Sequence, residues 1–459
     1  MTTIRSYGVI WSCCIVLAVA ALYPGLPSSD YLFQKSQAFS VLTNWHPVLL
    51  AGLVRAFDDI GLANADQAIH ALGVFLFYAS LFWALKKHLT NNVKFIAAIL
   101  LTFSFYPFWF FLKPIWKDVY FVAFFIFSCT ALMRIDAINL KNAKMLFVFF
   151  AASLLALLSR HNAAASIMVC ILVWWAVFPA PVSKKLPSVK AGSFVLIFFT
   201  AIYGAKSLIE TSMSVKSPGS MINFVLAFDS FGSLSKLNMS QRRAILQEFY
   251  DDDPEKLLRA VEGYKHTAPT DYLFWGVAPA LEVDEQLNST QNIDVFKEML
   301  VKHPSAVFDF KADLILQSLG ITRYDFIWTA PTGSNALPFN PLPELLEYFC
   351  PYVCSSEANI YGELNFYNFV NYIFGMTLVA ASVMALLFFV NPTHPALKVA
   401  VTWMGFGVAS LAPFFLLSQG AFYRYEAAAF VALFIAVVVA ILALIPGPRV
   451  GRTKLASSD

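Results

Sequence analysis

The chain has 459 residues, of which 58% are hydrophobic, 16% aromatic and only 13% charged, with 45 phenylalanines. Soluble globular domains carry about 25% charged residues, so an ordinary water-soluble globule is excluded. A net charge of +3 without an arginine-rich tail or basic run gives no footing for nucleic acid. Most of the chain is expected to sit in lipid.

A membrane helix needs roughly 20 apolar residues. Taken in chain order, such runs fall at 7–23, 67–85, 95–112, 115–134, 145–160, 163–180, 192–209, 367–390, 397–417 and 422–445. The fold class expected is an all-α polytopic membrane protein of about ten transmembrane helices. The first run is followed by Tyr23-Pro24-Gly25 rather than by a small-residue cleavage pattern, and reads as a retained helix. Tyr31 to Val41 reads as a helix that Asp30 could cap, and the short run Pro47 to Phe57 as a helix lying at the interface.

Four units follow. Residues 1–209 form an N-terminal membrane domain with about seven spans and a first outer loop at 24–66, and residues 210–366 a large, mainly helical domain between the seventh and eighth spans. Residues 367–446 carry the last three spans, and 447–459 a tail. Inside the large domain, Ser240 precedes a helical pattern at 241–250, Pro254 opens one at 255–264, Asp294 caps one at 295–301, and Pro304 opens a run to Leu319. Residues 329–343 read as loop.

Lysine and arginine collect in cytoplasmic loops. Alternate loops from the N-terminus hold 14 cations and two acids, Asp136 and Asp459; the other side keeps 18 of the 32 cations and 27 of the 29 acids. Both termini are therefore expected in the cytoplasm, with the large domain outside.

That outer boundary receives polar residues from several loops. Asp30 lies after the first span, where a carboxylate could take a proton from an acceptor hydroxyl or cap the next helix. Trp45-His46-Pro47 starts the interfacial helix, with His46 either at the headgroups or in a site. Lys117 and Asp118 open the fourth span; they could hold a phosphate and a sugar hydroxyl, or snorkel and complement the helix dipole. Arg160-His161-Asn162 fills a tight hairpin, as an anion site or a lipid anchor. Tyr423, Arg424, Tyr425 and Glu426 open the last span and suit a phosphate and a sugar ring, or an aromatic belt.

Cys13, Cys14, Cys129 and Cys170 lie in apolar runs, whereas Cys350 and Cys354 bracket Pro-Tyr-Val and are the candidates for a local disulfide. No metal set is expected: zinc would need two further close ligands, and the nearest histidines are His303 and His394. P-loop, HExxH, GxSxG and dinucleotide motifs are absent, and no cofactor is expected.

The layout resembles the GT-C class of membrane glycosyltransferases through Asp30, the Trp45-His46-Pro47 turn, Lys117-Asp118, Arg160-His161-Asn162 and Tyr423-Arg424-Tyr425. Within that class it is most similar to bacterial and phage-borne glucosyltransferases that decorate O-antigen. The resemblance implies an inner-membrane enzyme with a periplasmic site and two partners besides membrane lipid, a polyprenyl-phosphate-linked sugar donor and a lipid-linked glycan acceptor. It implies inverting transfer with Asp30 as general base, or Asp118 in its place, since Asp30 stands beside two serines where many members carry paired acids. Lys117, Arg160 or Arg424 would neutralise the leaving phosphate. Tyr264, Tyr272, Trp275 and Trp328 could be sugar platforms or core residues. An O-antigen polymerase, a lipid-linked glycan flippase or transporter, and an acyltransferase using His46 stay open as other readings.

Overall fold

The computed structural model describes residues 2–43, 46–135, 142–177, 188–217, 219, 221–250, 253–264, 281, 290–318, 367–416 and 423–446. These form eighteen helices and one two-stranded parallel sheet. The helices are α1 (Thr2–Leu22), α2 (Ser29–Ala38), α3 (Leu49–Asp59), α4 (Ala65–Leu85), α5 (Asn92–Phe103), α6 (Tyr106–Leu112), α7 (Lys117–Leu132), α8 (Ala143–Ser159) and α9 (Ala163–Val177), then α10 (Ser188–Ser212), α11 (Met221–Leu234), α12 (Met239–Phe249), α13 (Pro254–Glu262), α14 (Gln291–Lys302), α15 (Pro304–Ser318), α16 (Tyr367–Val390), α17 (Pro395–Leu416) and α18 (Tyr423–Leu444). Strands β1 (Leu26–Pro27) and β2 (Pro114–Ile115) are two residues each.

Three described stretches are long and apolar enough to cross a membrane: Ala65–Leu85, Gly192–Ser212 and Ala427–Leu444. Their settings differ. The apolar window of α18 is 83% buried, whereas that of α10 is 11% buried. One is therefore the centre of the bundle and the other its rim. Small side chains make the first possible: alanine recurs along α18, while Phe430 stacks on Phe105 and Phe434 meets it tilted, with ring centres 5.6 and 4.7 Å away.

The expected span at 95–112 is not one helix. Ser104 ends α5, Phe105 is extended, and Pro107 stands in the first turn of α6. Proline lacks the N–H that would continue the ladder and is tolerated only where that N–H has no partner to find. The Trp109 indole then donates to the carbonyl of Phe103 at 2.7 Å, satisfying part of the broken end.

Several helices define two ends of the bundle. Tyr7 of α1 donates to Asn92 at the start of α5 at 2.7 Å, and Asn91 donates to the Pro446 carbonyl just past α18 at 3.2 Å. The start of α1 and the end of α18 thus share one end. At the other end, Leu26 pairs with Pro114 and Pro27 with Ile115, so the chain after α1 is tied to the chain before α7. Between them Gly25 has φ +81°, and a Cβ there would lie 2.6 Å from Cγ of His70. The His70 ring is fixed by donating from Nε2 to the carbonyl of Leu112 at 2.8 Å.

A second core gathers Phe228, Phe231, Leu246, Leu257, Val295 and Met299 from α11 to α14. At its centre Asn292 accepts from the Tyr250 hydroxyl at 2.5 Å and donates to the Asn223 carbonyl at 3.3 Å. Caps here differ from expectation. Asn238, not Ser240, caps α12 through a capping box with Gln241. Helix α14 begins before Asp294, which instead pairs with Lys297 at 3.1 Å in the first turn. Helix α11 had no counterpart among the expected helices. Tyr264 packs on this core beside Phe310, a core role rather than a platform. Tyr272, Trp275, Trp328, the 329–343 loop, Cys350, Cys354 and the tail 447–459 lie outside the described residues.

Candidate functional site

Helix α2 starts two residues earlier than the capping role of Asp30 would require. Ser28 is the N-cap: its Oγ accepts from the Tyr31 N–H at 3.1 Å and donates to the Ile115 carbonyl at 2.8 Å. One serine thus caps a helix and holds it to β2, two residues before Lys117 opens α7. Asp30 falls in the first turn with its carboxylate released from capping, 3.3 Å from Nζ of Lys117. Removing this tie should be felt at the site. Ser28→Ala is expected to cost about 1 kcal/mol of stability, measured by thermal unfolding, with a further loss in turnover that the Tm shift alone does not explain. Unchanged turnover at the lowered Tm would show that the tie does not position Asp30.

Lys117 has a second partner, Nδ1 of His46 at 2.6 Å. An ammonium can only donate, so Nδ1 accepts and the imidazole carries its proton on Nε2. Phe33 from α2 meets the His46 ring edge to face at 5.3 Å. Three expected residues from three segments are therefore in direct contact: Asp30, His46 and Lys117. Trp45, beside His46, is outside the described residues.

Asp118 and Arg160 form the second half of the site. Arg160 Nη1 lies 2.7 Å from Oδ1 of Asp118, with side chains 9% and 1% exposed. Backbone dipoles favour both charges where they stand: Asp118 is in the first turn of α7 and Arg160 is the C-cap of α8. The guanidinium also lies 5.7 Å over the ring of Phe121, one turn further along α7. The approach of Arg160 is close but poorly directed for a hydrogen bond. Both oxygens of Asp118, like Oδ1 of Asn162, are buried without a hydrogen-bond donor among the described residues. His161 sits with Asn162 in the turn between α8 and α9 and is half-buried.

The remaining expected residues, Tyr423, Arg424 and Glu426, occupy the first turn of α18. Because α18 ends beside Asn91 at the opposite end of the bundle, this turn begins from the end that carries Lys117. Their side chains lie outside what is described.

Sequence reasoning passed over Asp66. It opens α4 and holds α2 through two residues: the Tyr31 hydroxyl donates to it, and Lys35 Nζ lies 2.7 Å from its Oδ2. Burial first, then the hydrogen bond to Asp66, pushes the Tyr31 phenol above its ordinary range, so it stays a donor. The signal available was positional. Asp66 opens its helix at the same boundary as Asp118 opens α7.

No group of three or more His, Cys, Asp or Glu among the described residues is placed to hold a metal ion. Comparison of the chain with known protein families, with curated proteins and with solved structures finds no match.

Proposed function

We propose that this chain is a membrane glycosyltransferase of GT-C type. It moves a sugar, glucose being favoured, from a polyprenyl phosphate to a lipid-linked or lipopolysaccharide O-antigen acceptor, with inversion. In this reading the chain has about ten spans in a bacterial inner membrane, with both termini cytoplasmic and the reaction on the periplasmic face. The observation that carries it is the pairing at one end of an apolar bundle: a carboxylate, Asp30, 3.3 Å from a lysine, beside a buried Asp118–Arg160 pair.

Between the two acids, Asp30 suits the base. Its side chain is 19% exposed against 1% for Asp118, so a substrate hydroxyl can reach it. Lys117 neutralises Asp30 at rest and suits a phosphate equally well. When the donor phosphate takes Lys117, the carboxylate is freed at the moment it is needed. The acceptor hydroxyl then gives its proton to Asp30 as its oxygen bonds to the anomeric carbon. The bond from that carbon to the phosphate oxygen breaks, and its electron pair leaves with the polyprenyl phosphate. Lys117, with Arg160 and Arg424 as further cations of this end, meets the charge that develops. A flippase reading finds less support, since α18 at the bundle centre carries no polar side chain from Ala427 to Leu444.

Protein in liposomes, given radiolabelled polyprenyl-phosphate glucose and a lipid-linked glycan, is expected to transfer label. Lys117→Gln should raise the KM for the donor on the order of tenfold or more, from the loss of a charge-assisted contact. Failure to transfer from any polyprenyl-phosphate sugar, with the protein folded, would sink the reading; an unchanged donor KM would remove Lys117 from it.

A further inference from the structure

The end of the bundle away from Asp30 gathers four cations from three helices. Lys86 and Lys87 follow α4, Arg134 follows α7, and Lys144 stands in the first turn of α8. Two of them share one aromatic ring. The Arg134 guanidinium carbon lies 4.3 Å from the centre of the Trp83 ring, and Lys86 Nζ lies 5.9 Å from it. Arg134 also donates from Nη2 to the Trp83 carbonyl at 2.7 Å. The ring and the carbonyl hold the guanidinium from two directions, and the fork has further N–H groups besides the one spent on Trp83.

None of the four is ion-paired with a carboxylate among the described residues. Asp136, the acid nearest Arg134 in sequence, lies outside them. Burial first, then Arg134, Lys87 and Lys144, lowers the Lys86 ammonium from its ordinary value. Burial first, then Lys94, Lys87 and His394, pushes the neighbouring His88 down to about 4, so it adds no charge at neutral pH. Like charges held together by the fold repel, and a bound anion relieves that repulsion.

Apolar surface begins where these charges stop. Phe147, one turn into α8 from Lys144, is 72% exposed, and Trp83 is half-buried at the boundary where indoles favour headgroup depth. An anionic head next to a hydrocarbon tail matches that sequence of surfaces; a free phosphate matches only its first part.

We propose that Lys86, Lys87, Arg134 and Lys144, grouped round Trp83, bind the headgroup phosphate of an anionic phospholipid in the leaflet at this end. The in-plane N–H groups of Arg134 take two phosphate oxygens, the lysines add charge, and the acyl chains run along α8 past Phe147. Nothing in this site depends on sugar transfer.

The full-length protein in a neutral detergent, titrated with phosphatidylglycerol, tests it by native mass spectrometry and thermal unfolding. Retained phosphatidylglycerol and a raised Tm are expected, with neither produced by phosphatidylcholine or by glycerol phosphate. Lys86→Gln with Arg134→Gln should weaken retention roughly thirtyfold, from two charges near the surface. Lys94→Gln with Lys398→Gln, which removes equal charge from the same end, should leave it within about twofold. Should the first pair not fold, Lys87→Gln with Lys144→Gln, both exposed side chains, takes its place with the same expectation. Equal weakening by the control pair would mean diffuse attraction and overturn the site, as would retention that no variant changes or that glycerol phosphate abolishes.

Discussion

Asp30→Asn is expected to lower the turnover of sugar transfer by roughly 10² to 10⁴-fold, the span attributed to a general base. The substitution keeps the shape of the side chain and removes the ability to accept a proton. It should spare the fold, because Ser28, not Asp30, caps α2 and ties it to Ile115. Donor affinity should hold or rise, since Lys117 loses a competitor that stands 3.3 Å away. Single-turnover transfer in liposomes, with the Tm recorded for the same preparation, separates the two effects. Full turnover in this variant would move the base elsewhere, with Asp118 next to be tried.

The buried pair carries the largest expected effect on stability. Arg160→Gln leaves the Asp118 carboxylate, 1% exposed, without its cation, and Asp118→Asn strands the guanidinium in the same way. Breaking a buried pair from one side costs about 3 to 5 kcal/mol, because the partner's charge is left uncompensated. The double variant should therefore be more stable than the sum of the singles implies. Thermal unfolding in detergent across the four-member cycle gives the coupling; singles that simply add would mean the two charges do not depend on each other. Activity should fall in all three variants, since α7 and α8 are clamped at the end that carries Lys117.

Helix positions were legible where apolar runs were long and uninterrupted. The runs expected at 67–85 and 367–390 reappear as Ala65–Leu85 and Tyr367–Val390. The one at 95–112 failed because a hydropathy count does not weigh Pro107, whose missing N–H opens a new helix inside an apolar stretch. In the second core, boundaries slipped by a few residues where Asn238 outcompeted Ser240 as a cap, a choice made by φ and ψ rather than by residue type. At the site, counting charges by loop brought Asp30, Lys117, Asp118 and Arg160 to one end. It could not sort them into pairs. Which acid faces which cation depends on β1 pairing with β2 and on Arg160 leaving α8 in an extended conformation, and both are long-range outcomes of packing. Asp66 was missed for the same reason: its importance comes from Tyr31 and Lys35, which reach it from a helix more than thirty residues earlier.

The short parallel pairing of Leu26–Pro27 with Pro114–Ile115 has a consequence for biosynthesis. Residues 24 to 43 emerge long before their partners exist, and Asp30 has no Lys117 to meet until another 87 residues have been made, α4 to α6 among them. Leu32 and Phe33 of α2 are exposed even in the finished fold, so the bilayer surface is a natural resting place for the helix in that interval. Assembly of the site thus waits on the start of α7. A ribosome stalled before residue 114 would display a first loop that has its helix signals but not its geometry.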